Sequence, residues 1–284
     1  MRIVVLDRSP YGNAADARSD SLLVAAARDQ GHEAEIVTLG RGAPAPRIVA
    51  DVVLPRADLR STDDLASFAR VVEGVEASSL RCFPSSASLV AAEDKRRTHD
   101  ALAHAGLPSV ATLVVPSSPD GQVLATARLP EFPLVVKEPV GWGGRGVTVC
   151  PDAGALRSAL ASAQARLPGG TVLVQPFVQH RRGLTAQVAG GRVVGAFATT
   201  ALATRDRSDA RPSYEDVPLD DVTASVALRA VAACGLAGGS VDFLDAADGS
   251  RPVLEVNAMP GLDPDDAGDR AFAEAIVRAV TGAA

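Results

Sequence analysis

The sequence predicts a mixed fold, a small parallel α/β domain followed by a region of α+β character. Three observations predict it. Over the first third, aliphatic runs alternate with segments of helical spacing, which means parallel strands joined by crossover helices. Next, the segment AAEDKRRTHDALAHAGLP (91–108) reads as one helix with its exit at Gly106-Leu107-Pro108, where a new module starts. From residue 134 onward, strands are joined by glycine-rich turns, a pattern of antiparallel character.

Taken in order, RIVVLD (2–7) is a short aliphatic strand. SDSLLVAAARDQG (19–31) has helix spacing, with Ser-Asp at its start and Gly31 at its end, and HEAEIVTL (32–39) is a second strand. DVVLPR (51–56), the helical DDLASFARVVEG (63–74) and SLRCFPSS (79–86) repeat the theme. Later come LVVKEPVGWGGRGVTVC (134–150) and TVLVQPFV (171–178), then TAQVAGGRVVGAFATT (185–200), a hairpin turning at Gly190-Gly191. TRDRSDARPSYEDVP (204–218) is polar and without period, so it reads as a long functional or mobile loop. No internal repeat is visible.

A chain of 284 residues can bury a substantial core, as one large domain or two to three smaller ones. Hydrophobic residues at 47% and charged residues at 22% are ordinary for a soluble globule. The net charge of -6 argues against a nucleic-acid-binding surface as the main business, and leaves a small ligand open. Cys82, Cys150 and Cys234 are far apart and form no C-x-x-C pair, so they read as buried apolar residues in a reducing cytosol. The amino terminus lacks the long apolar region and cleavage site of a signal peptide, and no stretch reaches transmembrane length. The expectation is a cytoplasmic protein with no membrane partner.

The chemistry concentrates at PVLEVNAMPGLDP (252–264). Side chains alternate along a strand, so Glu255 and Asn257 share one face while Leu254 and Val256 point to the other, toward the core. Asp242, in SVDFLDA, lies on the preceding apolar strand, joined through a turn at Ala247-Asp248-Gly249-Ser250. Three oxygen-bearing side chains can therefore meet, a hard ligand set that suits Mg²⁺ shared with substrate phosphates. GWGGRG (141–146) follows the strand carrying Lys137, and its glycines would let backbone N–H groups approach phosphate oxygens. On its own that loop favours a plain hairpin turn. It is neither a Walker A motif nor a dinucleotide fingerprint, because it runs into a strand.

The ordered set of Lys95 in AEDKRR, Lys137 in LVVKEPVGWGGRGV, LVQPFV at 173–178, Asp242 in SVDFL and Glu255 with Asn257 in LEVNAMPGL resembles the ATP-grasp superfamily. Within it, the order and the EVNAMPGL ending are similar to ligases that add glutamate to a ribosomal protein and to ligases of amino-group-carrier lysine biosynthesis. The resemblance implies three parts: residues 1–86 as an α/β domain, 87–174 as a central subdomain and 175–284 as a carboxyl-terminal subdomain, the last two clasping ATP. Lys95 and Lys137 would contact the α- and β-phosphates, and the loop of Gly143, Gly144, Arg145 and Gly146 would fold over the β- and γ-phosphates. The hinge Gln175, Pro176, Phe177 and Val178 would take adenine, through the Pro176 carbonyl and the Val178 amide. Asp242, Glu255 and Asn257 would hold two Mg²⁺ ions, with Mn²⁺ as an alternative. The activity implied is amide or peptide bond formation through an acyl phosphate, on small-molecule or peptide substrates, with a homo-oligomer left open. A ligase devoted to a peptide natural product and a nucleotide-binding protein without catalysis are the alternatives.

Two features depart from the family pattern, the stretch after the hinge and the arginine-and-asparagine-bearing loop that related ligases place near the acyl phosphate, which is unrecognisable here. Gly183 and Thr185 stand where an acid for the ribose and an arginine are expected, so ribose contacts pass to His180 or Gln187. Arg205, Arg207 and Arg211 become the candidates to stabilise the acyl phosphate. Trp142 is expected to pack under the glycine loop, and His99 and His104 to be exposed or satisfied helix residues. Arg56 and the loop 7–13, at carboxyl ends of parallel strands, are candidates for acceptor recognition.

Overall fold

A computed structural model describes residues 1–8, 14–40, 43–199 and 214–282, the side chains of 14–16 excepted. The first part contains β1 (Arg2–Arg8), α1 (Ala14–Asp29), β2 (Glu33–Thr38), β3 (Val52–Ala57), α2 (Thr62–Glu76) and β4 (Arg81–Cys82). Their strands form one parallel sheet in the order β2-β1-β3-β4. Helix α2 shows why the sequence chooses these elements. The Ser61 side chain accepts from the Asp64 amide as N-cap, Asp63 and Asp64 complement the helix dipole, and Leu65, Phe68, Val71, Val72 and Val75 form one buried stripe.

Two short helices follow, α3 (Ser86–Glu93) and α4 (Lys95–His104), where the sequence suggests a single helix over 91–108. Asp94 breaks it. Its backbone is extended (φ −90°, ψ 104°), and its carboxylate accepts from the Arg96 amide and pairs with the Arg96 guanidinium, so it ends one helix and caps the next. The break places Lys95 at the first turn of α4.

The second sheet is built from β5 (Leu113–Pro116), β6 (Leu134–Lys137), β7 (Val147–Cys150) and β8 (Thr171–Pro176), with α5 (Pro119–Arg128) and α6 (Ala153–Arg166) on one face. Its order is β5-β8-β6-β7, antiparallel throughout. The third sheet contains β9 (His180–Ala189), β10 (Arg192–Thr199), β11 (Tyr214–Asp216), β12 (Gly238–Ala246) and β13 (Val253–Asn257), with α7 (Asp221–Ala233) packed behind it. Its order is β11-β10-β9-β12-β13. The hairpin at Gly190-Gly191 forms as expected, both glycines having positive φ. The last helix, α8 (Ala267–Thr281), returns to the first sheet, where Phe272, Val277 and Val280 join Ile3, Val5 and Leu54 in one core.

Four sequence expectations change. Ser19 and Asp20 lie inside α1, almost fully buried, because their side chains face the carboxyl-terminal segment and β3 instead of capping the helix. The strand within 79–86 shrinks to Arg81–Cys82, since Pro84 has no N–H with which to continue the ladder. Residues 214–216 form edge strand β11, in register with Phe197–Thr199. Leu254 is only half-buried, and Val253 is the fully buried residue. A bulge sets Asp242 opposite Glu255 but Phe243 opposite Val253, so Leu254 is the extra residue that breaks the alternation.

Candidate active site

The face of the third sheet that carries Asp242 is polar for a local reason. On β9 and β12, Leu184, Ala186, Val188, Val241 and Phe243 bury one face against α7. The residues between them, Thr185, Gln187, Ser240 and Asp242, therefore share the other. Register places Asp242 beside Thr185 on one flank and Glu255 on the other, with Ser240 opposite Asn257. Thr185 Oγ1 donates to Asp242 Oδ1 at 2.7 Å, and Asn257 Nδ2 donates to Asp242 Oδ2 at 3.0 Å. Asn257 thus keeps its amide oxygen as the atom that could meet a cation.

Lys95 Nζ lies 2.9 Å from Glu255 Oε1 and donates to the Gly141 carbonyl at 2.6 Å. The Lys95 amide donates to Pro139 O at 2.9 Å, so the first turn of α4 is fixed to the start of the glycine loop. Lys137, at the end of β6, is buried in the same cleft. Burial pushes its ammonium down to about 8, opposed by Glu255 and Asp242 and aided by Lys95. Asp242 is pushed up to about 6, first by burial and then by the neighbouring Glu255 carboxylate. The structure therefore brings Lys95, Lys137, Asp242, Glu255 and Asn257 together.

Oxygen donors of this kind fit a divalent cation. Two carboxylates and an amide on adjacent strands are hard ligands, and their mutual crowding is what a cation would relieve. Among the described residues no group of three or more His, Cys, Asp and Glu is arranged to hold a metal by itself. A cation here would therefore take its remaining ligands from substrate phosphates or water, the habit of Mg²⁺.

In the loop, Gly143, Gly144 and Gly146 all have positive φ, and a Cβ at Gly146 would lie 2.8 Å from the Glu138 side chain. Arg145 stacks over Trp142 at 5.4 Å. Trp142 does not pack under the loop. It is 45% exposed, and its indole N–H donates to Asp58 Oδ1 at 2.6 Å.

At the hinge the Gln175 side chain is buried, while Pro176, Phe177 and Val178 are half-buried. The Phe177 amide donates to Pro133 O at 2.9 Å, and His180 Nδ1 lies 2.8 Å from the Val178 carbonyl. Gln187 Nε2 donates to Asp269 Oδ1 at 2.5 Å. His104 is exposed as expected, but His99 is buried, and burial lowers it to about 4. Its tautomer follows from its neighbours. Thr112 Oγ1 donates to Val110 O, so it accepts from Gln175 Nε2, whose second hydrogen goes to His99 Nε2. His99 Nδ1 then carries the proton, and it has no hydrogen-bond partner among the described residues.

Arg56 is buried, pairing with Asp20 at 3.1 Å and donating to Pro260 O at 3.0 Å. Arg205, Arg207, Arg211 and residues 9–13 of the amino-terminal loop lie outside the described residues. Sequence reasoning missed Glu93, whose carboxylate accepts from the Ala258 amide at 3.0 Å and fixes the exit of the ligand strand. Its position two residues before Lys95 was the available signal. Thr185, noted only as a departure, turns out to hold Asp242.

Three sheets in this arrangement, with a glycine loop and an acidic strand pair facing each other, define the ATP-grasp fold. The crystal structure of D-cycloserine synthetase DcsG superposes with a TM-score of 0.79 at 25% identity, over 98% of this chain and 99% of that one. D-alanine–D-alanine ligase from Bacillus anthracis complexed with ATP superposes at 0.73 and 18% identity, over 99% of this chain and 98% of that one, a likeness of fold alone. More narrowly, the chain belongs to the RimK-like ATP-grasp domain family, whose model matches residues 92–275. A probable alpha-L-glutamate ligase of Rhodopirellula baltica is 32% identical over 197 residues, 68% of this chain and 48% of that protein. One of Haemophilus influenzae is 28% identical over 293 residues, 93% of this chain and 91% of that protein. The match thus spans about half the length of the first relative and nearly all of the second. Family membership implies use of ATP. Among the described residues no helix is long and apolar enough to cross a membrane.

Proposed function

We propose that this protein is an ATP-dependent carboxylate–amine ligase that forms an amide or peptide bond on amino-acid or small peptide substrates. The observation that carries this reading is the meeting of Lys95, Lys137, Asp242, Glu255 and Asn257 in one cleft between the second and third sheets. Two ammonium groups suit a polyphosphate, and two carboxylates with an amide suit the Mg²⁺ that accompanies it. Bound there, Mg²⁺ would neutralise charge on the transferring phosphoryl group.

The chain's own residues then divide the work. Lys95 and Lys137 hold the α- and β-phosphates, and the amides of Gly143 to Gly146 cover the β- and γ-phosphates and exclude water. Apolar Val135 and Leu173, on the buried second sheet, with the hinge 175–178, make the base pocket. A substrate carboxylate oxygen attacks the γ-phosphorus while the bond to ADP breaks. An amine then attacks the acyl carbon, phosphate leaves, and the amine loses a proton. The negative acyl phosphate calls for an arginine, for which Arg205, Arg207 and Arg211 remain our candidates, with Arg145 in reserve. The names of the relatives make L-glutamate the first amino acid to try as a substrate. Residues 1–86, 87–174 and 175–284 serve as the working division into domains.

Incubation with Mg-ATP and pooled amino acids and peptides, followed by ADP measurement and mass analysis, tests this reading. A product heavier than its carboxylate by the amine minus water is expected. ATP bound without ADP release in any pool would overturn it.

A further inference from the structure

The glycine loop is fastened to two different parts of the molecule. Lys95 holds its start through Gly141 O and Pro139 O. Trp142 holds its tip to the first domain through Asp58. Asp58 follows β3 and is 3% exposed. Its second oxygen is taken by Arg60, with Nη2 at 2.5 Å and Nε at 2.9 Å, so the carboxylate presented to the indole is oriented in advance. Val140, the residue before the loop, is buried in the core of the first domain with Leu6, Val53 and Leu59. A tryptophan that is 45% exposed gains little of the burial that usually decides where an indole sits. Its orientation is set by the charged acceptor and by the Arg145 guanidinium stacked on its ring.

We propose that Asp58 and Trp142 are a pair of positioning residues through which the first domain sets the placement of the glycine loop over the nucleotide phosphates. The proposal rests on the nucleotide reading above. It gives the first domain a part in the phosphate site. Arg145, stacked on the same ring, is carried along by the tether.

Trp142 is the sole tryptophan of the chain, so its fluorescence reports the tether directly. Two variants separate the partners. Trp142→Phe keeps a ring for Arg145 but loses the N–H, and Asp58→Ala removes the acceptor. Binding of Mg²⁺ with a non-hydrolysable ATP analogue is measured by calorimetry in both, in the double variant and in Asp58→Asn. Each single variant should weaken binding about tenfold, the range for a hydrogen bond to a charged group. The double variant should be no weaker than the worse single one, because both remove the same bond. Asp58→Asn, which keeps an oxygen acceptor, should recover part of the loss. Acrylamide should quench Trp142 more readily in Asp58→Ala than in the wild type. Losses that add in the double variant, or singles that bind like wild type, overturn the proposal alone. A wild-type protein that binds no analogue overturns the ligase reading and the proposal with it. Should Asp58→Ala fail to fold, the half-exposed Trp142→Phe change still decides, by loss or retention of affinity.

Discussion

The first domain and the cleft both bury charge, but they treat it in opposite ways. In the first domain the buried carboxylates Asp20 and Asp58 each meet an arginine: Asp20 meets Arg56 at 3.1 Å, and Asp58 meets Arg60 at 2.5 Å. The pairs are closed. In the cleft, like charges are crowded together, with Asp242 beside Glu255 across two strands and Lys137 near Lys95. One ion pair, Lys95 with Glu255, links the two sets. The difference teaches where a charged ligand would gain most. A closed pair gains nothing from a new ion, whereas crowded carboxylates and ammoniums each gain from an ion of opposite sign.

The sharpest way to break this comparison is to open a closed pair. Arg56→Met should lower the unfolding free energy by about 3–5 kcal/mol, because it removes one side of a buried ion pair together with the hydrogen bond to Pro260 O. Denaturant titration measures it, and a loss near zero would mean that the pair is not what holds α1 to β3. In the cleft, Glu255→Gln should cut Mg²⁺-dependent ATP turnover by about 100-fold or more while the protein stays folded. Normal ADP release from that variant would remove the centre of the site.

Lys137→Met makes the two regions differ in sign. Burial pushes this ammonium down to about 8, so its removal should raise the stability of the ligand-free protein by about 1 kcal/mol and weaken nucleotide binding. A destabilised variant would place Lys137 among the closed pairs. The smallest expected effect is a pH dependence. His99 is lowered to about 4 from an ordinary 6.5, so between these values the unfolded chain binds the extra proton. Its contribution is fully present above pH 6.5 and is lost as pH falls toward 4. Comparing wild type with His99→Gln across that window should show a flatter curve for the variant, by on the order of 1 kcal/mol. Parallel curves would argue that His99 is charged in the fold.

How far the site was legible can be argued residue by residue. Glu255 and Asn257 were readable because strand alternation is a local rule, and Asp242 because one turn joins its strand to theirs. Leu254 was misread. A bulge is set by the fit of β13 to β12, and the run Pro252 to Val256 carries no mark of it. The helix break at Asp94 left a weak mark, an aspartate before lysine, but the aliphatic spacing runs through it and suggests one helix. His99 was read as exposed or satisfied because helical spacing says nothing of which sheet will cover a helix.

By itself the sequence determined the class, a parallel sheet followed by antiparallel ones, and the family, since periodicity and motif order are local along the chain. It also named Lys95, Lys137, Asp242, Glu255 and Asn257, which the fold brings together. Only the tertiary structure decided how those charges meet. The Asp242–Glu255 contact, the Lys95 bridge to Gly141 and the Trp142 bond to Asp58 join segments separated by 13, 46 and 84 positions. Such contacts depend on sheet register and domain packing, which are settled by the whole core at once and leave no periodic trace in any one segment.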